Sequence, residues 1–166
     1  MKLQFNPHLQ YQQDAINSIV NIFEGQETCR TNFTVAPLVH FEEDTIDMYR
    51  NDLGVGNRLR LLDDDILANV RKIQLKNGLK QSEKLNGRNF TIEMETGTGK
   101  TYVYLRTIFE LKRRYGFTKF IIVVPSIAIK EGVNKALEMT EEHFKTIYEN
   151  EQFDYFVYNS QKLGQV

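Results

Sequence analysis

Cysteine occurs once in the 166 residues, at Cys29. No disulfide can form within the chain, and a single inert thiol agrees with a reducing compartment. Histidine is nearly as scarce: His8, His40 and His143 are scattered without the spacing that metal sites use, and all three read as structural or solvent-facing. Charge of one sign is also lacking. Lys and Arg total 21 against 22 Asp and Glu, a net charge of −1, so any nucleic acid must be met by local patches and not by a bulk basic field. No apolar run approaches the roughly 20 residues of a membrane helix. The segment Met1-Lys2-Leu3-Gln4-Phe5-Asn6-Pro7 has no signal-peptide core, so a soluble, cytoplasmic protein without membrane association is expected. Internal repeats and low-complexity tracts are absent. What remains is an ordinary globular composition, 41% hydrophobic, sufficient for one domain with a real core.

The chain is organised around Phe90-Thr91-Ile92-Glu93-Met94-Glu95-Thr96-Gly97-Thr98-Gly99-Lys100-Thr101, a β-type run that breaks into a glycine loop and ends in Gly-Lys-Thr. Binding a triphosphate requires backbone N–H groups turned inward. Gly97 and Gly99 permit the necessary conformations and close approach, Thr96 to Gly99 supply donors, Lys100 adds a point charge, and the Thr101 hydroxyl is suited to magnesium. A helix from Thr101 to Arg114, buried on one side by Val103, Leu105, Ile108, Phe109 and Leu111, would aim its positive end at the phosphates. One position departs from the strict pattern: Met94 stands where the first glycine is expected.

Around this stretch the pattern is α/β. Asn6-Pro7 starts a predicted helix carrying Tyr11, Ala15, Ile16, Ile19, Val20 and Phe23, which stops at Gly25. On it, the amide of Gln12 offers both a donor and an acceptor to an adenine edge. Residues 26–56 read as a loop-rich insertion in which Phe33, Val35, Val39 and Phe41 suggest an edge strand interrupted by Pro37. Leu62, Ile66, Val70 and Ile73 line a predicted helix that ends before Asn77-Gly78. Its first turn holds Asp63-Asp64-Asp65, better explained by the helix dipole than by magnesium. Lys119 to Val124 reads as a fully buried strand. Pro125-Ser126 ends it, a helix follows from Ile127 to Met139, and Phe153 to Tyr158 is a further strand, with a helical extension at His143-Phe144 and Ile147-Tyr148 between them. The order β-α-β-α-β after a phosphate loop predicts a right-handed, doubly wound parallel sheet.

Met94 to Thr101 resembles motif I of superfamily-two helicases, Tyr11-Gln12 with Ala15-Ile16 resembles their glutamine motif, and Ile122-Val123-Val124-Pro125-Ser126 resembles motif Ia. The longer strings Phe90 to Thr107 and Val124 to Val133 resemble the restriction (Res) subunit of type III restriction-modification enzymes. That resemblance implies a P-loop NTPase with a RecA-like parallel sheet flanked by helices. It further implies a cytoplasmic ATP-driven motor on double-stranded DNA, a methyltransferase modification subunit as partner, and nuclease activity in the longer chain. Carried to this sequence, it makes ATP and magnesium the cofactors. It places Gln12, Thr96, Gly97, Thr98, Gly99, Lys100 and Thr101 at the nucleotide, Lys100 and Thr101 in the chemistry, and Pro125, Ser126 and Lys130 on the DNA backbone. The expected division is an N-terminal helix over 1–25, an insertion plus helix over 26–87, and a core over 88–166. On this reading the chain is an N-terminal piece of such a subunit, lacking the water-activating carboxylate motif and the second motor domain. The rival readings are a non-catalytic interaction module and a stand-alone P-loop kinase.

Overall fold

The computed structural model describes residues 5–28, 57–151 and 153–158. Four helices carry the described part: α1 (Gln10–Val20), continued by a 3-10 turn (Asn21–Phe23), α2 (Asp63–Lys76), α3 (Lys100–Tyr115) and α4 (Ile127–Ile147). The expected edge strand around Phe33 to Phe41, with Cys29 and His40, lies outside the described residues.

α1 begins later than Asn6-Pro7 predicts, because local bonds hold the chain in a turn. Asn6 Oδ1 accepts the His8 N–H at 2.9 Å, an Asx-type turn. The Pro7 carbonyl accepts Gln13 Nε2 at 3.0 Å and the Arg106 guanidinium at 2.6 Å. Beyond that turn Ala15, Ile16 and Val20 bury one face against Val103, Leu111, Tyr115 and Phe117. Gly25, at φ 91°, turns the chain out after the 3-10 turn.

α2 occupies the predicted span, and its three aspartates sit in the first turn. Asp65 Oδ2 accepts the Leu62 N–H at 3.2 Å and Asp63 pairs with Arg88 at 2.9 Å, so these carboxylates complement the helix start. The helix is joined to α1 by a buried amide. Asn69 Nδ2 donates to the carbonyls of Ile22 (3.1 Å) and Glu24 (2.8 Å), satisfying the open end of the 3-10 turn.

α3 is the centre, and it is buried on two sides where the sequence pattern indicated one. Val103, Leu111 and Tyr115 face α1, whereas Tyr102, Leu105 and Phe109 face Phe144 and Tyr148 of α4. α4 continues through the segment after Met139 to Ile147, because Phe144 and Tyr148 extend its apolar stripe into that aromatic cluster.

The expected strands depart from expectation. Among the described residues no strand ladder forms, so the RecA-like parallel sheet is not present in them. Residues 119–124 are not fully buried: Ile121 is 91% and Val123 88% exposed, while Phe120 packs partly against the α1–α3 core. Alternate residues therefore point to opposite faces, as in any extended chain. The physical reason is that the described residues supply too few neighbours. A buried parallel strand needs hydrogen-bonded neighbours on its edges and cover on both faces, and the helices here cover one face. Phe90 to Met94 and Phe153 to Tyr158 are likewise unpaired. Of these residues, only Met94 and Phe153 pack against the two cores.

Candidate phosphate-binding site

The loop from Glu95 to Gly99 runs directly into α3. Gly97 and Gly99 both adopt left-handed backbone conformations, at φ 81° and 85°, which is the requirement the glycine spacing anticipates. Within the loop the Thr98 hydroxyl donates to the Glu95 carbonyl at 2.6 Å, closing a tight turn. Gly99 is the N-terminal cap of α3, and among the described residues no side chain accepts a hydrogen bond from the first amides of that helix. The contrast with α4 is direct: there the Ser126 hydroxyl accepts the Ile129 N–H at 3.3 Å. Open amides at a helix start, with the dipole behind them, constitute an anion-binding geometry.

The side chains around the loop strengthen that reading. Lys100 is exposed and no carboxylate among the described residues pairs with it. Thr101 is half-buried on the first turn of α3. Gln12 is buried and reaches the loop, its Nε2 donating to the Thr98 carbonyl at 2.9 Å. The structure thus brings Gln12, Thr96, Gly97, Thr98, Gly99, Lys100 and Thr101 together, with Gln12 held against the loop backbone. An open groove of about 1470 Å³ between α1, α2 and residues 84–95 ends at Glu95 and Thr98.

Pro125, Ser126 and Lys130 lie at the start of α4 and not in the loop. Pro125 and Ser126 are exposed, Ser126 caps its own helix, and Lys130 pairs with Glu131 at 3.4 Å.

Behind the loop, a polar network invisible to motif reading joins α3, α4 and the N-terminal turn. The Tyr148 hydroxyl donates to Glu110 Oε1 at 2.8 Å, and Arg106 Nε donates to Tyr148 at 3.3 Å while its other arm holds the Pro7 carbonyl. Burial raises the Glu110 carboxyl, but hydrogen bonds from Arg113 and Tyr148 outweigh it and hold the group below the usual carboxylate range. Burial pushes the Tyr148 phenol well up. One turn nearer the loop, Tyr102 follows Thr101 directly. Its ring is flanked by Phe5 and Phe144, and its hydroxyl meets His143 Nε2 at 2.9 Å. Burial, and then the Arg106 charge, lower the pKa of His143. The sequence signal for this network was the i, i+4 spacing of Arg106, Glu110 and Arg114, which by itself looks like a solvated helix face.

Comparison with known proteins gives a consistent picture. A family model described as "Type III restriction enzyme, res subunit" matches residues 6–164. The chain is 33% identical over 165 residues to the type III restriction-modification enzyme EcoPI Res subunit of Escherichia phage P1, an alignment covering 96% of this chain and 16% of that protein. It is 29% identical over 162 residues to the EcoP15I Res subunit of Escherichia coli, covering 95% of this chain and 15% of the relative. Over 74 residues it is 45% identical to the StyLTI Res subunit of Salmonella typhimurium, covering 43% of this chain and 8% of the relative. The chain therefore spans about a sixth of the length of the first two relatives.

Proposed function

The chain belongs to the type III restriction enzyme res-subunit family, whose membership implies a P-loop, helicase-like fold, and from that premise we propose that it binds ATP with magnesium at the loop 95–101. The observation that carries the reading is the conjunction at the start of α3: two left-handed glycines and, among the described residues, helix amides that no side chain caps and a lysine without an ion-pair partner. These groups fit a polyphosphate. Thr96 to Gly99 would supply backbone donors, Lys100 would offset charge on the β- and γ-phosphates, and Thr101 would hold magnesium by its hydroxyl. When bound, magnesium adds the remaining positive charge needed between the phosphates. Gln12 would meet the base, its Oε1 accepting from an adenine amino group.

We assign the wider reading on the same footing. The core over 88–166 belongs to the first RecA-like domain of a DNA-dependent ATPase subunit, with residues 1–25 as the glutamine-bearing helix and 26–87 as insertion plus helix. Pro125, Ser126 and Lys130 face a DNA phosphate backbone, a modification methyltransferase is the partner, and the working assembly is cytoplasmic. The exposed start of α4 supports the DNA face, since serine and backbone donors at a helix N-terminus suit phosphate oxygens. Calorimetry tests the central point. Magnesium ATP should bind the wild type and not Lys100→Ala, and equal affinities would overturn the assignment.

A further inference from the structure

The peptide that Gln12 grips lies between two groups with opposite duties at a phosphate loop. Gln12 Nε2 donates to the Thr98 carbonyl at 2.9 Å from a buried position on α1. No peptide bond among the described residues is cis, so the Gly99 N–H points away from the carbonyl that Gln12 holds. That N–H donates to no acceptor among the described residues. The fit is close: a Cβ at Gly99 would stand 2.7 Å from Gln12 Nε2. A nest for phosphate needs its N–H groups turned in and its carbonyls turned out, because an inward carbonyl would repel the anion. We propose that Gln12 is a positioning residue for the phosphate loop, fixing the Thr98–Gly99 peptide so that the Gly99 N–H is presented to the phosphates, apart from any contact it makes with the base.

The proposal rests on the nucleotide reading above and adds a base-independent role. A glutamine that only read adenine would spend both its donor and its acceptor on the base edge. Here one of the two amide N–H groups is committed to the loop across 86 residues of sequence, a bond that base reading does not require. α1 and α3 share a core containing Ala15, Ile16, Val20 and Val103, so the amide is delivered from a packed helix. The entropy of ordering the loop is thereby reduced before the ligand arrives.

Binding of magnesium with ATP, GTP and inorganic tripolyphosphate separates the possibilities. Gln12→Glu keeps an acceptor for the base but cannot donate to Thr98 when ionised, and Gln12→Met keeps the volume and loses both functions. Both variants should bind tripolyphosphate about three- to tenfold more weakly than wild type, the range expected for one lost hydrogen bond. Thermal unfolding without ligand reports whether each is folded. Unchanged tripolyphosphate affinity in the folded variants, with only ATP weakened, would overturn the positioning role and leave a base reader. In the wild type, which no folding failure can affect, the Gly99 amide proton should shift on adding tripolyphosphate, and an unmoved resonance would also overturn it. A wild type that binds none of the three, or binds them equally well as Lys100→Ala, would refute the nucleotide reading itself.

Discussion

Gly97 and Gly99 share one backbone conformation, yet a methyl group would be received differently at each. At Gly97 a Cβ meets nothing within 4 Å, whereas at Gly99 it meets the Gln12 amide at 2.7 Å. Left-handed backbone costs a non-glycine residue about 1–2 kcal/mol at either site. Gly99→Ala must also displace Gln12 from the Thr98 carbonyl, adding roughly 1 kcal/mol. Urea unfolding should therefore place Gly99→Ala below Gly97→Ala by about that difference. Equal losses would show that Gln12 moves aside freely. Replacing Gly99 should also cost more affinity for polyphosphate, because the amide it carries is the one being aimed.

The pairing of α3 with α4 is where element-scale stability concentrates. Phe144 is 1% exposed and touches Tyr102, Phe109 and Tyr148. Phe144→Ala should cost about 3–5 kcal/mol, measured by urea unfolding, and a loss under about 1 kcal/mol would mean that the helices do not meet as described. The same joint is sensitive to pH. His143 has its pKa lowered by burial and by Arg106, so below the ordinary histidine value near 6.5 the unfolded chain takes up a proton that the folded one resists. Its contribution is fully present above that value and declines as pH falls through the window beneath it. Glu110, held below its ordinary value of 4.5, contributes in the same direction at more acid pH, present above 4.5 and lost as pH falls through its folded value. His143→Gln should flatten the stability profile just below pH 6.5 and leave the fall near the carboxylate range. An unchanged profile there would show that His143 is not the titrating group.

At the scale of the molecule, the uncovered residues of 119–124 give the sharpest test. Val123 is 88% exposed, so Val123→Asp should alter stability by no more than about 0.5 kcal/mol, as surface changes do. Burial of that position in a packed sheet within the chain would instead cost several kcal/mol for an unpaired charge. Turnover is a second question at this scale. Hydrolysis needs a group to orient water and cationic charge on the transition state, and an arginine finger alone contributes about 10³- to 10⁵-fold. Asp63 and Asp65 are engaged at the start of α2 by Arg88 and the Leu62 N–H. The 166-residue chain is therefore expected to bind nucleotide without DNA-stimulated hydrolysis or DNA cleavage. A steady-state assay with duplex DNA, magnesium and Lys100→Ala as the control checks this, and Lys100-dependent turnover would overturn it.

Local chemistry determined much of this protein directly from sequence. Glycines at 97 and 99 must take positive φ if the loop is to turn before a helix, and the periodicity of residues 62–73 and 101–114 selects helices whatever surrounds them. The family was legible in the same strings, because a loop that cradles phosphate tolerates few residue types. Contacts between distant segments were not legible. Nothing local to Gln12 says that its amide will meet Thr98, and nothing local to Asn69 says that it will close the turn at Ile22 and Glu24. The second buried face of α3 appears only once Phe144 and Tyr148 arrive from α4. Residues 119–124 show the converse: an unbroken apolar run predicts burial on both faces, but burial is conferred by neighbours, and among the described residues the helices supply them on one side only. Propensity and spacing act over a few residues and so reside in the sequence, whereas the partner of a side chain depends on which segments the fold brings together, which only the tertiary structure decides.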